Sequence, residues 1–445
     1  MTGFPITLAT PCEHHGPLPD AVDVTVIGGG IIGLMAAWAL ARQGQRVLLC
    51  EKGRLAGEQS GRNWGWVRQQ GRDLAELPMM IEALRLWCDL PSRLRKAVGF
   101  RQTGITYLAR SEAQLAAYRH WLESARPYGV DTVLLSRRQT EAMLPNAAGW
   151  VGALHTPSDG QAEPLVAVPV LARAAAADGV ILREGCAVRG LQLSAGRVAG
   201  VETEFGHVRC TRVILAAGAW SALFLGAHGV SLPQLSVTSS VSITGALPEL
   251  LPGAAADDRF AIRRRSDGGY TLTPWSRHEF HIGPAAFRHL LPFLPQFLAD
   301  PASTRFRPAA PQGYPDAWRT PRRFNISSTS PFETCRILDP RPDTRELTRI
   351  RHCFARAFPE IGAPPISHSW GGMIDVTPDS LPVIDHAPIP GLIVATGMSG
   401  HGFGIGPGVA GPLADLAMGR APRHDLSAFR FGRFRPFRQR PSSAI

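Results

Sequence analysis

One stretch constrains the fold more than any other: Val24 to Glu51, which reads VTVIGGGIIGLMAAWALARQGQRVLLCE. A β-branched apolar run stops at three glycines, a helical pattern follows from Ile31 to Arg42, and a second apolar strand runs from Arg46 to Cys50. Gly28, Gly30 and Gly33 stand at the G-x-G-x-x-G spacing: the first makes a tight turn, the second admits a pyrophosphate close to backbone, and the third lets helix and strand pack. Glu51 closes the second strand roughly 20 residues on, where a carboxylate holds a ribose hydroxyl. Val24 to Ala41 carries no charge and is nearly long enough to cross a bilayer. The glycine triplet after a four-residue strand argues instead for a dinucleotide-binding turn.

A chain of 445 residues is expected to fold as two domains. The first twenty residues lack a basic n-region and an apolar core of signal-peptide length, so the cytoplasm is the expected compartment, with peripheral contact on the inner face of the membrane as a variant. Seven scattered cysteines without a C-x-x-C spacing suit reduced thiols and no metal site, and Cys12-Glu13-His14-His15 reads as a mobile polar terminus. The formal net charge is +11, but arginine is dispersed and Lys52 and Lys96 are the only lysines, which argues against a nucleic-acid partner. The one basic concentration is Arg430 to Arg440, where Arg and Phe interleave; packing on the domain is expected over a membrane or RNA foothold.

Along the chain, Gly53 to Gly71 is a loop rich in Gly, Trp and Arg (SGRNWGWVRQQGRD within it). Helices are expected at 76–98, 111–128, 164–178 and 345–358, and Arg212 to Ser221 (RVILAAGAWS) reads as a buried strand ending in small residues. Strand-like runs at 235–244, 259–265, 269–274 and 277–283 carry the signature of an antiparallel sheet. Pro292 to Pro321 is expected to break regular structure, and 324–338 to add a strand. The segments 20–75, 151–234 and 366–425 are assigned to one domain, 76–150 and 235–365 to a second, and 426–445 to a basic tail. The chain then returns to glycine in GMSGHGFGIGPG, 397–408, with Pro407 at an expected helix start. Such a glycine-lined helix N-terminus suits the electron-rich edge of a flavin. A nicotinamide site has no need of this second element, so FAD is the expected cofactor.

With these residues the chain resembles the FAD-dependent D-amino acid oxidase family in its broad sense, which includes glycine oxidase, sarcosine oxidase and D-amino acid dehydrogenases. The resemblance spans residues ~20 to 420 through GGGIIG with Glu51, VILAAGAWS, WGG…TPDSLPVID and GMSGHGFGIGP. It implies an α/β fold, α+β overall: a Rossmann-type FAD-binding domain with a discontinuous second domain on an antiparallel or mixed sheet. It further implies that Gly28, Gly30, Ile31, Ile32, Gly33, Glu51 and Lys52 serve the ADP half of the cofactor. Ser60, Gly61, Arg62, Asn63, Trp64 and Gly65 would line the flavin and pyrophosphate, with Val188, Ala217, Gly218, Trp220 and Gly372 completing the site. Gly400, His401, Gly402, Phe403 and Gly404 would meet the pyrimidine edge of the ring. Covalent relatives attach flavin through a Cys or His where this chain has Gly372 and Arg62, so noncovalent FAD is expected. Sarcosine oxidases carry a Lys at the position of Gly404, and its lack here turns the expectation from oxidase to dehydrogenase.

The reaction implied is oxidation of an amino acid or N-substituted amino acid: hydride leaves Cα for flavin N5, and the imine hydrolyses. The partners are an amino acid or amine substrate and an electron acceptor: a quinone, a partner protein or oxygen. A guanidinium fork for the carboxylate is sought in Arg336, Arg62 or Arg68. Arg263 and Arg265 share one strand face and are further candidates for the fork, with a solvated edge as the preferred reading; Tyr270 and Trp275 are candidate pocket walls, and His401 is a candidate at the reacting centre. Three alternatives stay open: an oxidase of glycine or sarcosine type, an amine oxidase acting on transfer RNA, and a noncatalytic FAD-binding subunit of an electron-transfer complex.

Overall fold

The structure is a computed structural model and describes residues 4–434; Met1 to Gly3 and the tail from position 435 onward, with most of its Arg-Phe run, lie outside the described residues. Val24–Ile27 is buried on both faces, as an all-apolar strand between helical layers must be. It sits in a six-stranded sheet whose order is Val383–His386, Leu392–Thr396, Arg212–Leu215, Val24–Ile27, Val47–Glu51, Ile181–Glu184. All neighbours run parallel except the first pair. The helix Ile31–Ala41 is apolar on nearly every side because it lies between this sheet and other helices.

A second sheet of ten strands carries the other domain. Its long members, Leu235–Ala246 and Ile366–Val376, pair antiparallel along almost their whole length. The helix Thr344–Ala357, capped by the Asp343 carboxylate, buries Leu347, Ile350 and Phe354 against Phe260, Ile262 and Leu272 of that sheet. The expected boundary at 366 therefore cuts a strand from its own sheet, and Gly152–Thr156, placed in the nucleotide domain, pairs instead with Ile105–Ala109 of the second. Both errors have one cause: a strand's sheet is set by distant pairing partners, and local pattern shows only that it is a strand.

Other expectations also change. The 292–321 passage holds most of a helix, Leu290–Ala299, and a strand, Thr304–Arg307, despite its prolines. Within 324–338 the chain forms a short helix, Pro331–Thr334, in place of a strand. Pro407 lies inside the last helix, Gly402–Ala417, which starts five residues earlier. The Cys12 to His15 segment is fastened to the sheet edge: the amides of Glu13 and His14 donate to Glu184 Oε2 at 2.8 and 3.1 Å, and Arg173 forks onto Glu13. At the other end Arg433 pairs with Asp379, and Phe431 and Phe434 pack against the nucleotide domain. No helix among the described residues is long and apolar enough to cross a membrane.

Candidate active site

The carboxyl ends of the parallel strands and the face of the ten-stranded sheet meet in one cleft of about 2080 Å³, its open mouth included. That crevice is where an open α/β sheet binds its ligand. At one end lie Gly28, Gly30, Ile31, Ile32, Glu51, Lys52 and Val188, with Ala217, Gly218 and Trp220 from the strand Arg212–Leu215 and its sequel. Gly28 has φ of +112°, and a Cβ there would fall 2.4 Å from the Ala216 carbonyl, so only glycine makes this turn. Glu51 accepts from the amides of Gly29 (2.8 Å) and Gly53 (2.7 Å), and burial raises its carboxyl above the ordinary value. Ser60 Oγ accepts from the Ile31 amide at the helix N-terminus (2.9 Å). Lys52 bonds Glu58 Oε1 (2.7 Å) and two carbonyls of the 335–336 turn, with its ammonium 4.4 Å from the Trp220 ring centroid.

At the other end, Arg62, Asn63 and Trp64 of the loop face Gly372 of the second sheet and the turn Gly400, His401, Gly402, Phe403. The buried Asp375 carboxylate fixes that turn by accepting from the Gly397 amide (2.6 Å), Thr396 Oγ1 (3.0 Å) and Gln234 Nε2 (2.8 Å). His401 Nδ1 lies 3.0 Å from Arg72 Nη1 and 3.3 Å from Glu76 Oε1. Burial drives Arg72 down to about 10; it would raise Glu76, but His401 and Arg72 more than offset it and hold that carboxyl at about 2. Trp64, Trp66 and Trp275 form an aromatic wall with ring centroids 5.5, 5.7 and 6.0 Å apart. Arg68 lines the cleft beside them; its guanidinium carbon lies 5.8 Å from the Tyr107 ring centroid, its Nη1 donates to the Gln70 carbonyl, and its Nε and Nη2 make no hydrogen bond among the described residues.

Several candidates are elsewhere or otherwise engaged. Arg336 stands off the cleft, forked onto Glu204 at 2.8 and 2.5 Å, so it cannot serve as the carboxylate fork. Arg62 reaches the cleft but is spent: its guanidinium holds Asp339 (2.6 Å) and the carbonyls of Gly57 and Gly371. Tyr270 is wholly buried beneath the helix Thr344–Ala357, its hydroxyl accepting from the Leu250 amide. Arg263 and Arg265 are buried, not a solvated edge, and pair with Glu163 and Asp267. Gly33, Gly61, Gly65 and Gly404 do not line the cleft; each admits a neighbouring backbone. A Cβ on Gly33 would lie 2.1 Å from the Gly28 carbonyl oxygen, and one on Gly404 would lie 2.9 Å from Val67 Cα.

Sequence reasoning passed over Arg72, Glu76, Asp375 and Gln234. An Arg and a Glu four apart at a helix entry were the available signal for the first two. Gln234 offered none, since its partners are distant in sequence.

The residues fit a flavin dinucleotide. Backbone is bare at Gly28 to Gly30, and a Cβ on Gly372 or Gly400 would meet its nearest neighbour at 3.5 Å, which leaves room for a flat ring against backbone. Trp66 Nε1, buried at the cleft wall, has no hydrogen-bond partner among the described residues. The N-terminus of Gly402–Ala417 opens on the cleft and supplies positive potential there. No group of three or more His, Cys, Asp or Glu residues suited to a metal exists among the described residues.

Comparison with known proteins agrees. The chain is 29% identical over 277 residues to human mitochondrial sarcosine dehydrogenase, covering 58% of this chain and 30% of that protein, so it spans less than a third of that relative's length. It is 26% identical over 423 residues to sarcosine oxidase subunit beta of Rhizobium meliloti (strain 1021), covering 93% of this chain and 88% of that one. The L-amino acid deaminase of Proteus myxofaciens, solved with anthranilate, superposes with a TM-score of 0.89 at 28% identity over 95% of both chains. Residues 23–416 match the family model DAO, FAD dependent oxidoreductase. The chain belongs to that family, and its cofactor is FAD.

Proposed function

We propose that this protein oxidises the Cα–N bond of an amino acid with a bulky apolar or aromatic side chain and passes the electrons to an acceptor other than oxygen. The observation that carries the substrate reading is the wall of Trp64, Trp66 and Trp275 with Arg68 beside it in the same cleft. An aromatic wall takes a large side chain, and a guanidinium with free donors takes a carboxylate. The deaminase relative bound to anthranilate, an aromatic carboxylate, supports the same pairing.

Bound FAD supplies the two-electron acceptor for this chemistry. Gly28 to Ile32, Glu51 and Ser60 would hold its ADP half, and the 397–403 turn its ring. No Cys or His stands at Gly372 or Arg62, which supports noncovalent attachment. The protein's work at the substrate end is positioning. Arg68 fixes the carboxylate, the tryptophans exclude water around the side chain, and Arg72 with Glu76 locks the His401 imidazole at the cleft wall. The substrate amine must arrive neutral, so its proton goes to solvent before Cα is oxidised, and the imine then takes up water to give a keto acid and ammonia.

The acceptor reading rests on lysine. A side chain at Gly404 would strike the strand Trp66–Val67, and Lys52, the one lysine lining the cleft among the described residues, is held by Glu58 and two carbonyls. No lysine is therefore placed to assist oxygen. A second reading, an N-methyl amino acid as substrate, is favoured by the likeness to sarcosine dehydrogenase and sarcosine oxidase subunit beta.

Steady-state rates with D-, L- and N-methyl amino acids, each with a dye acceptor and with oxygen, test both readings. Bulky amino acids with dye should turn over fastest. Faster turnover of sarcosine would favour the second reading, and faster turnover with oxygen than with dye would overturn the acceptor assignment.

A further inference from the structure

The stretch 284–323 presents an unusual surface. Phe287, Leu291, Leu298, Phe306 and Trp318 are 65, 78, 71, 54 and 53% exposed, and Leu290 adds to the same face. The helix Leu290–Ala299 buries Phe293 against Leu235 and Phe280 of the sheet and turns its remaining leucines outward. The ring centroids of Phe287 and Trp318 lie 6.1 Å apart, and Phe297 of the helix Leu290–Ala299 meets Phe306 at 5.9 Å, so the helix is tied to the strand Thr304–Arg307 and Phe287 to Trp318. An exposed apolar face of this extent marks a contact surface.

Charge says what the contact is. The stretch holds six arginines against two aspartates; Arg305 and Arg307 pair with Glu279 and Asp343 outside it, and Arg322 pairs with Asp316. Arg288, Arg319 and Arg323 are exposed and have no ion-pair partner among the described residues. Exposed apolar side chains with unpaired arginines next to them in the chain, Arg288 after Phe287 and Arg319 after Trp318, match the boundary of an anionic bilayer, where the first enter the acyl region and the second meet the headgroups. A second copy of this chain would instead bring these unpaired arginines against their own kind, a like-charge cost.

We infer that the face built by Phe287, Leu291, Leu298, Phe306 and Trp318 docks the protein on an anionic lipid surface. The strand Thr304–Arg307, which carries Phe306, pairs with His278–His281, whose first residue lines the cleft. Docking through Phe306 therefore brings the His278 side of the cleft beside the docked face. The docking itself does not depend on the proposed reaction.

Co-sedimentation of the FAD-loaded protein with vesicles of phosphatidylcholine containing phosphatidylglycerol tests this. Binding to these vesicles should exceed binding to pure phosphatidylcholine at least tenfold at low salt and weaken as salt rises. The double variant Leu291→Glu, Leu298→Glu and, separately, the triple variant Arg288→Gln, Arg319→Gln, Arg323→Gln should each lose at least tenfold in binding while keeping the flavin spectrum. Should the leucine variant fail to fold, the arginine variant and quenching of Trp318 by brominated lipid, lost in Trp318→Phe, carry the test. Wild-type protein left in the supernatant, or variants that bind unchanged, would overturn the inference. So would a wild-type dimer that Leu291→Glu converts to monomer without vesicles, since the face would then belong to a second copy.

Discussion

Arg68 and Arg336 look alike in the sequence, and what separates them is partners. Arg336 forks onto Glu204, 132 residues away, and is consumed; Arg68 lies over the Tyr107 ring and donates Nη1 to the Gln70 carbonyl, which leaves Nε and Nη2 as donors for a ligand. Replacing Arg68 with Gln should raise KM for the amino acid about tenfold to a hundredfold, the cost of about 1.5–3 kcal/mol for a charged hydrogen bond, with FAD content unchanged. Initial-rate kinetics beside the visible spectrum check both halves. Asp159 makes a pH prediction. Burial lifts its carboxyl to about 7 even though the amides of Gln69 and Gln70 donate to it. The folded value exceeds the unfolded one, near 3.8. The folded chain therefore binds this proton more tightly, and the stability it contributes is full below about pH 4 and lost as pH rises through about 7. Thermal unfolding of Asp159→Asn should accordingly fall less between pH 5 and 8 than that of the wild type. Equal slopes would show that Asp159 does not titrate there.

At the scale of elements, the glycines of GMSGHGFGIGPG divide into two groups that no pattern in the sequence distinguishes. Gly400 and Gly402 line the cleft, whereas Gly404, Gly406 and Gly408 let the helix Gly402–Ala417 approach its neighbours closely. A Cβ on Gly408 would fall 2.0 Å from the Met79 carbonyl oxygen of the helix Leu77–Cys88. Gly408→Ala should therefore cost about 1–3 kcal/mol through overpacking, read as a lower midpoint in thermal or urea unfolding. An unchanged midpoint would mean that the two helices separate freely. Helices and buried strands were legible because their period lies within a short window. The sheet to which Ile366–Val376 belongs was not, because its partner residues lie 122 to 141 positions earlier, and the helix Leu290–Ala299 was hidden by prolines that its short length tolerates.

For the whole molecule, the stretch Val24 to Glu51 gave the nucleotide half, and the return of glycine near 400 required a cofactor with a second polar end. The structure brings both onto one cleft and sets a tryptophan wall and the Arg68 guanidinium at the end away from the dinucleotide turn. The wall was half legible: Trp64 and Trp66 sit in the loop directly after the motif, but Trp275 joins them only through the second sheet. The arginines of 284–323 lie in one continuous stretch of the sequence, but only the structure shows the leucines and aromatics near them to be exposed. The most direct test of the account is the flavin spectrum of the purified protein without oxygen. Adding an amino acid with a bulky side chain should bleach the visible FAD absorbance, and an artificial dye should restore it faster than air does. A flavin that stays oxidised with every D-, L- and N-methyl amino acid would contradict the account.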